Sequence, residues 1–365
     1  LIPLVDLVTQ YKAIQPEIDA ALQRVLLSGH FILGEEVSAL EEEVAAFLGV
    51  GHAIGVASGT DALLIAMRAC GVRPGDEVLL PAYTFFASAS TILLAGAKPV
   101  FVDIDPNTYC MDPNLVERCI SPRSRAMMPV HLYGQPADMT ALSALAKKHS
   151  LTIIEDNAQA FGAEYHGQKT AGLGEAGCLS FFPTKNLGGY GDGGMLVTNN
   201  PQVAEQARQL HTHGWKRKYF PEMLGYNSRL DAMQAAILRA KLPHVAAWNE
   251  RRRLLAQRYN QALAGLDLKL PEEAPGTYHV YHLYVIRSTQ RDQLKDALKK
   301  AGIASDVYYP QPPYLAEPCR SLGYRPGDFP ASDRASRETL ALPLYPELSF
   351  EQQDLIIETI LQASR

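Results

Sequence analysis

The sequence predicts an α/β fold with a mostly parallel central sheet sandwiched by helices, followed by a smaller C-terminal α+β domain. Short apolar runs recur between helix-like or turn-rich segments from Ala53 to Thr198. Strands that alternate with helices build parallel sheets covered on both faces. Beyond a long helical stretch the pattern changes to isolated strands and helices, which marks a second unit. A chain of 365 residues, 47% hydrophobic and 20% charged, is long enough to bury one large core and one smaller one.

The first helix is expected over Pro16–Leu27, where Ile18, Leu22, Val25 and Leu26 share a face and Gly29 follows as a stop. The strand-like runs are Ala53–Val56, Val78–Leu80, Pro99–Val102, Ala126–Val130, Thr152–Ile154, Cys178–Phe182 and Met195–Thr198. Ligands of such sheets collect at the carboxyl ends of the strands. The residues there are Ser58-Gly59-Thr60, Tyr83-Thr84-Phe85, His131, Asp156 and Lys185. From about Asp231 to Arg258 the pattern is helical, with Arg251-Arg252-Arg253 reading as a solvated face, and this helix links a large domain, 1–245, to a small one, 246–365. In the small domain His282–Ile286 reads as a strand, helices are expected near Gln293–Lys300 and Phe350–Gln362, and Tyr309-Pro310-Gln311-Pro312-Pro313-Tyr314 as a loop.

The formal net charge of -5 gives no general attraction for nucleic acid. Five scattered cysteines without a C-x-x-C pair point to reduced thiols, a cytoplasmic home and no cysteine metal site. The N-terminal residues lack the charge pattern of a secretion signal, and no apolar run is long enough for a bilayer. Neither export nor membrane insertion is expected.

The chemistry concentrates around Lys185, in the run Ser180-Phe181-Phe182-Pro183-Thr184-Lys185-Asn186-Leu187-Gly188-Gly189. Taken alone it is a surface-loop lysine. The apolar residues before it and the glycines after it describe instead an amine delivered close to a ligand, able to form a Schiff base with an aldehyde. Asp156 ends the preceding strand in Glu155-Asp156-Asn157-Ala158-Gln159. It can cap a helix, or it can hold a pyridine nitrogen protonated. Together the two supply the protein groups of pyridoxal phosphate chemistry. Ser58-Gly59-Thr60-Asp61, between a strand and a helix, suits either a helix cap or a phosphate. Gln159 can donate to a ring hydroxyl or lie exposed, and Phe85 can stack on a ring or fill the core. His131 can meet substrate or satisfy a buried polar position. The segment His211–Phe220, with Lys216, Arg217 and Tyr219, suits a diphosphate and a flat base, or a solvated loop. Asn227-Ser228-Arg229 can cap the next helix or reach a neighbouring subunit.

Taken in order, Ala57-Ser58-Gly59-Thr60-Asp61-Ala62-Leu63, Tyr83-Thr84-Phe85, Glu155-Asp156, Gln159-Ala160, Ser180–Leu187 and Gly225-Tyr226-Asn227-Ser228-Arg229 resemble the DegT/DnrJ/EryC1/StrS sugar aminotransferase family. The resemblance covers nearly the whole chain. It implies the fold-type-I architecture of pyridoxal 5'-phosphate enzymes, with Lys185 bound to the coenzyme and Asp156 on its ring nitrogen. It also implies Gln159 at the ring hydroxyl, Phe85 on the ring face, Gly59, Thr60 and Ser180 at the phosphate, and Asn227 reaching over from the second subunit of a homodimer. The implied reaction moves an amino group from L-glutamate, leaving 2-oxoglutarate, to a nucleotide-linked keto sugar. His131, Lys216, Arg217, Tyr219 and Arg229 are the substrate-binding candidates, and no metal is implied. Similarity is greatest to members that aminate C3 of dTDP- or UDP-linked 3-keto sugars. Amination at C4 and a non-catalytic coenzyme-binding regulator are the alternatives; a sugar dehydratase relative would carry His in place of Lys185. Where relatives often carry His in the late Pro-rich segment, this chain has Pro313-Tyr314.

Overall fold

A computed structural model of the protein describes residues 1–364. Its strands run in chain order as β1 (His52–Val56), β2 (Glu77–Pro81), β3 (Lys98–Val102), β4 (Ser124–Met127) and β5 (Thr152–Asp156). After a small hairpin of β6 (Glu164–Tyr165) and β7 (Gln168–Lys169) come β8 (Ala176–Ser180) and β9 (Gly194–Thr198). The central sheet has the order β1-β9-β8-β5-β4-β2-β3. Only β9 opposes its neighbours; the other pairings are parallel. β2 and β9 are buried along their whole length. Helices on both faces leave these strands no solvent side, so their sequences are continuous apolar runs without alternation.

Three helices lead into the sheet, α1 (Leu7–Ala13), α2 (Gln15–Ser28) and α3 (Glu35–Leu48), while α4 (Gly59–Ala69) joins β1 to β2 and α5 (Phe86–Leu94) joins β2 to β3. Each predicted end of the first helix falls one residue inside α2, and Gly29 closes it at φ 66°, a left-handed conformation glycine adopts without strain. The helix expected from Asp231 to Arg258 is divided. Asp231 caps Ala232–Lys241 by accepting from Gln234 N. A 3-10 turn at Leu242–His244 follows, then Val245–Ala262. Pro243, within that turn, has no N–H to continue the helical ladder.

An exposed hairpin, β10 (Trp215–Arg217) and β11 (Phe220–Pro221), precedes these helices, and β12 (Thr277–Tyr278) follows them to pair with β6. β13 (Tyr284–Arg287) and β14 (Thr339–Leu342) form an antiparallel pair. Around it Leu255, Tyr259, Leu298, Ile356 and Ile360 build a separate hydrophobic cluster. Ile2 belongs to that cluster and bridges Ile303, so the chain's first residues pack with its C-terminal part. Among the described residues no helix is long and apolar enough to cross a membrane.

Candidate active site

A cavity of about 480 Å³ lies where the carboxyl ends of β5 and β8 and the start of α4 meet β14. Gly59, Thr60, Phe85, Asp156, Gln159, Ser180 and Lys185 all line it. Residues up to 126 positions apart in sequence share one space because the parallel strands end on the same side of the sheet.

Ser58 is the cap of α4: its side chain accepts from Asp61 N at 3.1 Å. Gly59 and Thr60 are the first residues of the helix, where N–H groups have no intrahelical carbonyl to meet, and they face the cavity. The cap and the phosphate seat thus use different residues of one motif. The seat depends on small residues. A Cβ on Gly59 would come 2.7 Å from Ser180 Cβ, and one on Gly194 would come 2.3 Å from the carbonyl carbon of Ser58. Ser228 fixes the turn from behind, donating to Asp61 Oδ2 at 2.6 Å and accepting from Ala57 N at 3.1 Å.

Asp156 is buried, with Oδ2 accepting from Ser88 Oγ at 2.7 Å and Oδ1 from Ala158 N at 3.2 Å. Burial pushes its pKa up despite these donors and the nearby charge of Lys185. The carboxylate is therefore short of a close cation. Lys185 follows a tight turn in which its N–H donates to Phe182 O at 2.8 Å. Burial lowers its pKa to about 8, against the pull of Asp156. The side chain keeps part of its surface open on the cavity side, while protein encloses the amine elsewhere.

The neighbouring Asn186 anchors the loop. Its Nδ2 donates to Asn249 Oδ1 at 2.7 Å and to Val280 O at 3.1 Å, and His282 Nδ1 donates to its Oδ1 at 3.2 Å. Gln159 is held by both ends of its amide: Oε1 accepts from Tyr133 N at 2.7 Å, and Nε2 donates to Tyr309 OH at 2.8 Å. Tyr309 also lines the cavity, its ring centroid 5.7 Å from that of the exposed Phe85.

These groups fit pyridoxal phosphate. Free helix-start N–H groups suit its phosphate, a buried acid in need of a cation suits its protonated ring nitrogen, an open aromatic suits its ring face, and a nucleophilic amine suits its aldehyde.

The substrate-binding candidates do not reach the cavity of their own chain. His131 is fully buried: Nε2 donates to Glu155 Oε2 at 2.9 Å, and Nδ1 accepts from Ala137 N at 3.0 Å. With both nitrogens engaged it is a structural group, supporting a carboxylate that also gathers the N–H groups of Ala171, Leu173 and Gly174. Lys216, Arg217 and Tyr219 stand exposed on or beside the β10–β11 hairpin, where the Arg217 guanidinium covers the Phe220 ring at 3.9 Å. Arg229 and the exposed Asn227 also lie outside the cavity lining. Tyr314 packs into the core against Phe101 and Phe329 and does not line the cavity.

Ser88, Tyr309, His282 and Arg252 were not singled out by the sequence as site residues. Ser88 lies three residues beyond Phe85, within one helical turn, and that spacing is the one signal that could have found it.

The family model for DegT/DnrJ/EryC1/StrS aminotransferases matches residues 12–361. A "pleiotropic regulatory protein" of Geobacillus stearothermophilus is 50% identical, covering 100% of this chain and 99% of the relative. The UDP-N-acetyl-3-dehydro-alpha-D-glucosamine 3-aminotransferase of Acidithiobacillus ferrooxidans is 47% identical over 96% of this chain and 95% of its own. The crystal structure of DesV from S. venezuelae, in complex with a ketimine intermediate, superposes with a TM-score of 0.98 at 44% identity, covering 100% of this chain and 99% of that one. The protein belongs to the DegT/DnrJ/EryC1/StrS aminotransferase family, whose enzymes depend on pyridoxal phosphate.

Proposed function

We propose that this chain transfers the amino group of L-glutamate to C3 of a nucleotide-linked keto sugar, working in the cytoplasm as a homodimer with shared active sites. The observation that carries the reading is the convergence of Lys185, Asp156 and the α4 start on one cavity in a chain 47% identical to a UDP-sugar 3-aminotransferase. A relative named dTDP-3-amino-3,4,6-trideoxy-alpha-D-glucose transaminase, 44% identical over 98% of this chain, points to the same carbon.

When bound, the coenzyme supplies an electron sink for the bond broken at the donor's Cα. Asp156 keeps a negative charge at the ring nitrogen and so favours its protonated form. Lys185 would hold the coenzyme through its aldehyde, and its amine, when free, would carry the proton at the donor's Cα. Gly59 and Thr60 would hold the phosphate, and Phe85 and Gln159 would hold the ring, beside Lys185.

Support for the dimer comes from Leu26, Leu27, Phe31 and Ile32, apolar side chains exposed at and just beyond the end of α2. An apolar patch of this kind suits a subunit interface. Asn227, exposed on its own chain, would then serve the partner's coenzyme.

The coenzyme-loaded protein, treated with L-glutamate and then with a panel of keto sugar nucleotides, tests the proposal. Formation of 2-oxoglutarate and NMR of the product should place the new amine on C3. Amination at C4 would correct the position. Because one relative is named as a regulatory protein, a second outcome has a definite meaning: coenzyme binding with no turnover on any sugar would identify a regulator.

A further inference from the structure

Lys185 stands in a loop whose two arms are tied together: Gly189 N donates to Phe181 O at 2.8 Å, and Lys185 N donates to Phe182 O at 2.8 Å. The arms are in close contact, since a Cβ on Gly188 would come 2.3 Å from Pro183 O. Two side chains of the helix Ala232–Lys241 grip the returning arm from outside. Lys241 Nζ donates to Gly188 O at 2.8 Å and stands 4.1 Å from the centroid of the Tyr190 ring. Gln234 Oε1 accepts from Tyr190 N at 2.7 Å, and a Cβ on Gly189 would come 2.7 Å from the same oxygen. Gln234 and Lys241 are two helical turns apart, so both project from one face of the helix.

Neither Gln234 nor Lys241 lines the cavity. Lys241 is nevertheless fully buried, and Glu347 is the one opposing charge acting on it. Enclosing an ammonium in this way is costly, and an apolar side chain of similar volume is often as good for stability or better. The fold alone therefore gives little reason for a lysine at 241. What an apolar side chain would lack is the donor to Gly188 O and the charge over the Tyr190 ring. The next helix, Val245–Ala262, adds a third contact through Asn249, which holds Asn186. Residues 186, 188 and 190 are thus fixed on one pair of helices, and Lys185 is carried at the edge of that cradle.

We propose that Lys241 and Gln234 are positioning residues for Lys185: from one helix face they clamp the returning arm of its loop and so set where its amine stands in the cavity. The proposal rests on Lys185 being the amine that takes the coenzyme. For the C=N bond to form and water to leave, that amine must meet the aldehyde carbon at one place. A backbone carrying Gly188, Gly189, Gly191 and Gly193 is too permissive to fix it unaided. A displacement of about 1 Å at a reacting atom can cost on the order of a hundredfold in rate.

The test compares pyridoxal phosphate with pyridoxamine phosphate, which has no aldehyde and so binds without a bond to Lys185. Lys241→Met keeps an unbranched side chain and removes the donor and the charge. In that variant the condensation of pyridoxal phosphate with Lys185, followed by stopped-flow absorbance, should slow by about 10- to 100-fold, while the Kd for pyridoxamine phosphate stays within about twofold. Gln234 supplies an independent pair. Gln234→Leu, which removes the acceptor for Tyr190 N, should slow the condensation, and Gln234→Glu, which keeps an acceptor oxygen in the first turn of the helix, should run near the wild-type rate. A folded Lys241→Met protein that condenses as fast as the wild type would overturn the proposal. An equal loss of pyridoxamine phosphate affinity would also overturn it, since that marks a general loosening of the site. If Lys241→Met does not fold, the Gln234 pair decides: a slow Leu variant beside a fast Glu variant supports the clamp, and any other pattern refutes it. Borohydride labelling of the wild type keeps the two failures apart. No label on Lys185 would remove the coenzyme role on which the proposal rests, whereas a labelled Lys185 with unchanged rates in the variants would remove the clamp alone.

Discussion

Replacing Ser88 with Ala removes one oxygen atom and should cost the protein much of its hold on the coenzyme. Ser88 is fully buried, and its hydroxyl is one of two donors to the Asp156 carboxylate, at 2.7 Å; the other, Ala158 N, is at 3.2 Å. Burial already drives Asp156 towards its neutral form, and the Ser88 hydrogen bond is the largest influence opposing that. Its loss raises the pKa further and weakens the anion that faces the ring nitrogen. A hydrogen bond to a charged group contributes roughly 1.5–3 kcal/mol, or about 10- to 150-fold in affinity at 1.36 kcal/mol per decade. Thr84 Oγ1 lies 3.0 Å from the hydroxyl that is lost, and it remains in place to keep the pocket polar without supplying the same bond. The assay is absorbance titration of the coenzyme-free variant with pyridoxal phosphate, with a thermal melt to confirm folding. A folded Ser88→Ala protein that binds the coenzyme as tightly as the wild type would refute the role given to Asp156 and its donor.

Further outcomes are expected. Gly194→Ala places a Cβ against the Ser58 backbone; it should destabilise the fold by about 1–3 kcal/mol in denaturant melts and weaken coenzyme affinity at the same time. The Lys185 amine, with its pKa lowered to about 8 by burial, should have its neutral nucleophilic form half-populated near that pH. The rate of condensation with added pyridoxal phosphate should therefore rise with pH through about 8 and level off well below the range of a free lysine, near 10.4; stopped-flow absorbance across pH 6 to about 10 checks this. If the active site is shared, inactive Lys185→Ala and Asn227→Ala proteins mixed and re-associated should regain about a quarter of wild-type activity, because half the dimers are hybrids with one intact site of two. No recovery on mixing would argue against a contribution from the partner.

The sheet was legible because its strands are buried on both faces: a run such as Val78–Leu80 needs no periodicity to be read as a strand when every residue is enclosed. The chemistry at strand ends was legible for the same reason, since Asp156 and Lys185 are polar residues placed just after apolar runs. What stayed hidden depended on packing between distant segments. Arg252 sits in a basic run that any composition rule assigns to solvent, and segments distant in sequence, Tyr281-His282 and Leu344, enclose it. Ser88 looked like one small helix residue among several, because nothing local reveals that its hydroxyl points at Asp156, 68 positions on. His131 shows the converse. A histidine at a strand end could meet substrate or satisfy a buried polar position, and Glu155 and the Ala137 N–H, which occupy both of its nitrogens, make it the second. Asn227 and the 215–221 hairpin lie outside their own chain's cavity, so any part they take in catalysis depends on a second copy. Pro243 divided the long helix as its missing N–H requires, although the apolar pattern on either side continued without a break.

Reduction with borohydride after loading with pyridoxal phosphate, followed by mass mapping of the digested protein, decides whether Lys185 is the residue that binds the coenzyme. The expected result is a single coenzyme-modified peptide carrying the label on Lys185, and loss of that label in Lys185→Ala. A label on Lys241, on any other lysine, or on none would contradict it.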